Sequence, residues 1–381
     1  MTGTAATTAD AAGPATVAGP AATGTTYPMR RWAFEDTPGR YDIDLGNSFA
    51  PVRDPAGLSA PASLALSYGS DVGSAELREQ VARRYGGDPE RVLVTHGAQE
   101  ALFLLFSTLL RPGDQMIAFV PGWQSSVEVP AHRGCHVDAL PYDAGMEVDV
   151  ATVREVAGPR LRVVYVSSPN NPGGRRVSAD RVAALAELAG RAGGYLVLDQ
   201  EYEIDLSGSP ALRHESVVSV SGLAKVYGLP GLRVGWLYGH PDVVAGCARL
   251  KHFTSIANSA ICEALAAQVL ADHDAYARDY HRLVEPGRAL VVEWAQRHAD
   301  QVRLVPPEGT PFAWLEPVSG EPSLALCRRA LDAGVLLMPG ETLGSGRGFR
   351  LGFARPPDVV AEGLRRLTPL LRAPLPAPLP A

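Results

Sequence analysis

Ser221-Gly222-Leu223-Ala224-Lys225-Val226-Tyr227-Gly228-Leu229-Pro230-Gly231-Leu232-Arg233-Val234-Gly235-Trp236 sets one lysine among small residues, eight positions before one arginine. A lysine attacks a carbonyl only as the neutral amine, and partial burial beside another cation favours that form. Arg233 is placed to be that neighbour and to hold an anion. Four glycines and Pro230 in these sixteen residues indicate irregular backbone wrapped closely around something. An isolated lysine near glycines is ordinarily a surface residue; the combined spacing of lysine, Gly-Leu-Pro-Gly turn and arginine sets this one apart.

Outward from that stretch, strands and helical patterns alternate from about residue 60 to 240, which predicts an α/β fold with a mostly parallel sheet sandwiched by helices. Ser216–Ser221 reads as the strand delivering Lys225, and Val234–Gly239 as the return to the sheet. Tyr195–Asp199 is a continuous apolar run ending in a carboxylate, with Tyr202 three residues on. Leu161–Ser167 is another strand, followed by Pro169-Asn170-Asn171-Pro172-Gly173-Gly174, a run that by itself denotes loop chemistry. Gln115–Val120 delivers Trp123 to the strand end where α/β sheets bind ligands. Val92–Thr95 leads into Gly97, Ala98 and Gln99, then a helix expected over Ala101–Leu110. Backbone N–H groups at such a helix start cradle phosphate, although any α/β unit needs a turn of this kind. Tyr68 precedes a helix that Ser74 caps, with Leu77, Val81 and Tyr85 turned inward.

Beyond residue 240, helices are expected from Asn258 to about Arg278 and from about Val284 to His298. Strands and a helix entered by Pro322 then form a smaller α+β domain. Phe349-Arg350-Leu351-Gly352-Phe353 alternates as a half-buried strand, which fixes the angle of the Arg350 fork for a carboxylate. A structural ion pair is the other reading of Arg350. At the other end, Asp42–Asn47 reads as a strand leaving into a loop, where Asn47 and Ser48 serve either substrate contact or turn chemistry. The boundaries so read are a disordered tail over 1–26, an arm over 27–50, a large domain over 51–283, a small domain over 284–372 and a second tail over 373–381.

These motifs, in this order from about Tyr27 to Arg372, resemble the fold-type-I pyridoxal-phosphate enzymes of the class I/II aminotransferase family. The resemblance implies a covalent link from Lys225 to pyridoxal 5'-phosphate, with Lys225 also as general base. It implies Asp199 at the ring nitrogen, where a carboxylate keeps the pyridine protonated as an electron sink. Trp123 would stack on the ring, while Asn171 and Tyr202 would bond its phenolic oxygen. Gly97, Ala98, Gln99, Arg233 and a serine hydroxyl would hold the phosphate. The family usually places that serine three residues before the lysine; here Gly222 stands there and Ser221 one step earlier, so which hydroxyl reaches the phosphate is open. Tyr68 matches a tyrosine that reaches the partner's phosphate in a homodimer, against a packed core tyrosine as the other reading. Thr254 and Ser255 match an interface contact near the cofactor. Arg350 would bind the substrate carboxylate, and Asn171 and Asn47 would also touch the substrate. Gln200 replaces a more usual glutamate and Gly173 a threonine.

The implied activity is amino-group transfer between an L-amino acid and a 2-oxo acid. Elimination, cyclisation or oxidation on the same residues is the first rival, since the lysine segment also resembles capreomycidine-synthase-like enzymes. A ligand-sensing domain of a regulator is a remote one, because residues 1–26 have neither basic charge nor helical periodicity. At 381 residues and 46% hydrophobic content the chain needs no staple for its core. A net charge of −6 without a basic face argues against nucleic acid. No apolar run reaches a membrane span. The four cysteines show no metal spacing and read as reduced thiols, so no metal and a cytoplasmic location are expected.

Overall fold

The structure is a computed structural model and describes residues 27–54 and 56–371 together with the backbone of Ala15–Val17. The rest of the two expected tails, residues 1–14, 18–26 and 373–381, lies outside the described residues. The strands in chain order are β1 (Ala15–Val17), β2 (Ile43–Asp44), β3 (Val92–Thr95), β4 (Gln115–Val120), β5 (His136–Pro141), β6 (Leu161–Ser167) and β7 (Tyr195–Asp199). They continue with β8 (Val217–Gly222), β9 (Gly235–Tyr238), β10 (Val302–Val305), β11 (Phe312–Pro317), β12 (Val335–Leu336), β13 (Met338–Pro339) and β14 (Phe349–Gly352).

β6 and β7 are apolar almost without interruption because both faces of a parallel sheet are covered by helices. The large sheet runs β1-β5-β4-β6-β7-β8-β9-β3. Its β5, β4, β6, β7 and β8 pair parallel, β9 is antiparallel to both neighbours, and β3 therefore points the same way as β8. The carboxyl ends of β3, β4, β6, β7 and β8 thus gather on one edge, which is where an α/β sheet can build a site. Ala15–Val17, expected in a disordered tail, instead pairs antiparallel with Val137–Ala139 of β5 at the sheet's far edge.

Local chemistry explains the helix limits. Ser74 Oγ accepts from Leu77 N at 3.4 Å and Gly86 closes the helix at φ 74°, so Ala75–Tyr85 has a side-chain start and a left-handed stop. Gly97, at φ 77°, lets the next helix begin at Ala98. That is three residues earlier than expected, and it puts Ala98 and Gln99 in the first turn. After Ala260–Ala271 the chain breaks at Asp272 and then runs as one helix over His273–Arg297. The expected break near Val284 does not occur. Pro286 removes one helical N–H, but buried Tyr280, Val284, Gly287, Val291 and Trp294 hold the helix against its neighbours on both sides of it. Gly287 lies directly against Phe353 O, where a side chain would not fit.

The smaller domain is the antiparallel sheet β10-β11-β14-β13 with helices Ser323–Asp332 and Pro357–Leu371. β2 of the arm pairs parallel with β12, and Trp32 Nε1 donates to Leu337 O at 2.9 Å, so the arm is pinned to this domain. It is pinned to the lysine loop as well: Ala50 N donates to Lys225 O and Arg53 N to Gly228 O, both at 3.0 Å. Among the described residues no helix is long and apolar enough to cross a membrane, and no cluster of side chains could hold a metal. All four cysteines are free.

Candidate active site

At the gathered strand ends lies a cavity of about 160 Å³ whose wall combines residues from β3, β4, β6, β7 and β8. From the turn after β3 come Gly97, Ala98 and Gln99, and from the turn after β4 comes Trp123. Asn171 follows β6, Asp199 ends β7 with Tyr202 just beyond it, and Lys225 and Arg233 belong to the loop between β8 and β9. A larger hollow between helix His273–Arg297 and β10–β11 contains none of the candidates.

One end of the cavity is an anion cradle. The first turn of helix Ala98–Leu109 presents unpaired N–H groups. A Cβ on Gly97 would meet Arg233 Nη2 at 2.6 Å, and one on Gly235 would meet Ala98 N at 2.5 Å, so both positions have to be glycine for guanidinium and helix to come this close. Arg233 itself sits at φ 51°, a strained conformation for a side-chain-bearing residue. Its Nη1 and Nη2 each donate at 3.2 Å, to Pro230 O and His96 O, which leaves the exposed fork facing the cavity.

Asp199 is buried, and desolvation pushes its carboxyl above the usual range. Two donors and one cation oppose that shift: Glu201 N to Oδ1 at 3.1 Å, Tyr165 OH to Oδ2 at 2.8 Å, and the charge of Lys225. Gln200 points the other way, as strand alternation requires. Its Oε1 accepts from Ser209 and Ser219 in a buried network that continues to Tyr85 and Trp236.

Tyr202 stands edge-on to Phe312 at 4.8 Å and donates its hydroxyl proton to Ser48 Oγ at 3.0 Å, so the arm does reach this wall. Burial raises the Tyr202 pKa against the pull of Lys225 and Arg350. Trp123 Nε1 donates to Gln99 Oε1 at 2.8 Å, which fixes the indole plane at the cavity's rim. Arg350 is not part of the wall but adjoins it. Its Nη1 donates to Asn171 Oδ1 at 2.8 Å and its Nη2 to Gly46 O at 2.9 Å, while Nε has no partner.

Three candidates lie elsewhere. Ser221 is buried with its hydroxyl on Gln200 O at 3.3 Å, outside the cavity. Tyr68 is 83% exposed beside Leu66, Asn258 and Ile261, which excludes the packed core tyrosine and leaves it away from this chain's own cavity. Asn47 folds onto Asp44, to whose carboxylate its Nδ2 and N donate at 2.6 and 3.1 Å, a local turn. Thr254 and Ser255 both donate to Glu100 Oε1, which ties that segment to the helix behind the cradle.

Sequence reasoning passed over Glu201. It lines the cavity on the same side of the chain as Asp199, and the period-two alternation at the end of β7 is the signal that could have found it. Lys251 is the opposite case, a wholly buried lysine that is no candidate. Its three protons go to Asp71 O, Val94 O and Asn258 Oδ1 at 2.6–2.9 Å, so it is a structural tie.

Known proteins resemble this chain over most of its length. A capreomycidine synthase of Streptomyces vinaceus is 30% identical over 309 residues, 79% of each chain. An aspartate/prephenate aminotransferase of Thermus thermophilus is 29% identical over 326 residues, covering 80% of this chain and 83% of that one. Among solved structures, the PLP-dependent cyclase OrfR superposes with a TM-score of 0.80 at 28% identity, over 90% of this chain and 95% of its own. The family profile described as aminotransferase class I and II matches residues 59–367. With that match spanning the cavity, the small sheet and all of the large one but β1, the chain belongs to the class I and II aminotransferase family.

Proposed function

We propose that this chain binds pyridoxal 5'-phosphate and moves an amino group between an L-amino acid and a 2-oxo acid. The observation that carries the reading is the meeting of Lys225, Asp199 and the Gly97–Arg233 cradle around one cavity. The donor set fits the cofactor: an anion cradle that a Cβ would fill, a buried carboxyl for a protonated ring nitrogen, and an indole at the rim. Pyridoxal phosphate held there supplies an electron sink for the electrons released at the substrate Cα.

The chain's own groups divide the remaining work. Lys225 carries the cofactor covalently and moves the proton at Cα. Asp199, oriented by the Tyr165 hydroxyl, holds the proton on the ring nitrogen. The N–H groups of Ala98 and Gln99 hold the phosphate with Arg233, while Gly97, whose N–H is taken by Thr95 O, gives the close approach. Ser221, turned to Gln200 O, does not contribute a hydroxyl in this arrangement. Trp123 covers a ring face, and Asn171 and Tyr202 serve the phenolic oxygen. Arg350 receives the substrate carboxylate, because its buried guanidinium has no carboxylate partner among the described residues and its Nε is unsatisfied.

Exposed Leu66, Tyr68, Phe253, Ile256 and Ile261 favour a homodimer in which Tyr68 serves the neighbouring site. Residues 283–284, inside helix His273–Arg297, are our boundary between the large and small domains. The first half of that helix holds Arg53 and Tyr227 through Asp279 and His273, and the second half holds the small domain through Trp294 and Thr368. Reduced thiols favour a cytoplasmic location.

The capreomycidine synthase and cyclase relatives favour a second reading, in which the same residues run an elimination or cyclisation. Incubating the loaded protein with a panel of amino acids, with and without a 2-oxo acid, tests both by product mass. Amino-group transfer requires the acceptor for repeated turnover. Sustained product formation without it overturns the first reading in favour of the second.

A further inference from the structure

Past its last sheet-like bonds, Leu45 N to Leu336 O at 3.0 Å and Gly352 N to Leu45 O at 2.7 Å, the arm runs on as irregular backbone. Every second residue of it then touches a different residue of the site. Gly46 O accepts from Arg350 Nη2 at 2.9 Å, Ser48 Oγ accepts from the Tyr202 hydroxyl at 3.0 Å, and Ala50 N donates to Lys225 O at 3.0 Å. Glycines let the arm lie this close: a Cβ on Gly352 would meet Asn47 O at 2.3 Å, and one on Gly228 would meet Pro51 O at 2.5 Å.

Arg355, just beyond β14, holds both ends of that segment. Its Nε donates to Asp44 O at 3.2 Å and its Nη2 to Asp44 Oδ2 at 3.3 Å, while Nη1 donates to Phe49 O at 3.2 Å and to the neighbouring Ala354 O at 2.8 Å. The guanidinium carbon also lies 5.8 Å from the centroid of the Phe49 ring. The Asp44 carboxylate in turn accepts from Gly46 N at 3.0 Å and Asn47 N at 3.1 Å. Resting on the proposed roles of Lys225, Tyr202 and Arg350, we propose that Arg355 is a positioning residue of this site: with Asp44 it fixes the arm so that Gly46, Ser48 and Ala50 hold all three at once.

One rigid fork thus sets oxygens from Asp44 to Phe49 relative to one another, which a flexible ammonium would not do. The pair is largely enclosed, with the Arg355 side chain 14% and that of Asp44 26% exposed, so solvent screens it less than a surface pair. Arg366 provides the contrast. It ties helix Pro357–Leu371 to the arm through two bonds to Asp42, at 2.7 and 2.9 Å, but Asp42 is 63% exposed and precedes β2. The β2–β12 ladder absorbs the loss of that pair, whereas among the described residues no ladder holds the arm after Leu45.

The test begins with amide hydrogen exchange in the full, cofactor-free chain. In Arg355→Met the Ala50 and Arg53 amides, bonded to Lys225 O and Gly228 O, should exchange about tenfold faster or more, with those of helix Ala75–Tyr85 unchanged. Asp44→Asn, which keeps the shape and removes the charge, should show the same change at smaller size, and Arg366→Met should keep the wild-type rates. In the loaded enzyme, assayed well below the melting temperature of each variant, Arg355→Met should lose about 100-fold in kcat and raise KM for an α-amino acid, because Lys225 and Arg350 both lose a tie. Wild-type exchange in both Arg355→Met and Asp44→Asn, a lower melting temperature with unchanged kcat and KM, or equal effects from Arg366→Met each overturn the proposal. If pyridoxal phosphate never attaches to Lys225, the proposed function fails, and the exchange rates alone still decide whether Arg355 sets the arm.

Discussion

Arg350 donates through Nη1 to Asn171 Oδ1 at 2.8 Å, and this bond joins the buried guanidinium of the small sheet to the wall of the cavity in the large one. A buried cation without a carboxylate costs stability until something negative arrives. Arg350→Met should therefore leave the cofactor-free protein at least as thermally stable as wild type. The same variant should lower kcat/KM for α-amino acids by about 30-fold or more, the lower end of losing one partner of a buried charge pair. An unchanged KM for a carboxylate substrate would make Arg350 structural.

Lys225 is the one cavity lysine, and Lys225→Ala should abolish borohydride-reducible attachment of pyridoxal phosphate while leaving the fold intact, because the side chain is only half-buried. A reducible lysine adduct at wild-type level in that variant, found by peptide mapping, would move the site elsewhere. Lys251, with all three protons in use, is the control. Its substitution should reduce stability, since buried carbonyls lose their donor.

Asp199→Ala should keep the fold and lose turnover by orders of magnitude, since Asp199 is the wall carboxyl whose orientation two donors fix. A variant keeping more than about a tenth of the wild-type rate, a barrier change below roughly 1.4 kcal/mol, would argue for a structural aspartate. Tyr165→Phe removes only the donor to Oδ2 and should give a smaller loss in kcat with little change in KM.

What could be read from the sequence follows from where the signals lie. Lys225, Asp199, Asn171, Trp123 and Gly97 each lie at or soon after the end of an apolar run, which put them at one sheet edge, while their roles came from the resemblance. Ser74 and Gly86 likewise carry their own capping chemistry. Ser221 failed as a cavity residue because alternation along β8 turned its hydroxyl to Gln200 O, a one-residue offset that motif matching cannot resolve. The gap expected between Arg278 and Val284 is absent for a different reason: buried Tyr280, Val284 and Gly287 keep the helix packed straight through it. Ala15–Val17 had no strand signal of its own, and its pairing depends on the β5 edge it meets.

Glu201 gives the stability of the cofactor-free protein a pH dependence of definite sign. Its folded pKa is raised, by burial first, from 4.5 to about 7. The folded state therefore holds a proton that the unfolded chain releases earlier, and the stability this contributes is present below about 4.5 and lost as pH rises to about 7. Asp199, also raised, acts in the same direction. The melting temperature of Glu201→Gln should thus exceed that of wild type by a margin that grows from pH 5 to pH 8. A constant margin would mean that Glu201 titrates as an ordinary surface carboxylate.

Tyr68 tests assembly. It is 83% exposed, outside its own cavity, among other exposed apolar side chains. If it completes the neighbouring subunit's phosphate cradle, each site draws on two chains, and a closed two-fold dimer is the simplest arrangement. Two impaired variants, Tyr68→Ala and Lys225→Ala, are then mixed under conditions of demonstrated subunit exchange. A mixed dimer has one site with both lesions and one with neither. Half the dimers are mixed in an equal population, so activity should recover to about a quarter of wild type. No recovery despite exchange would place the function of Tyr68 within its own chain or in packing alone.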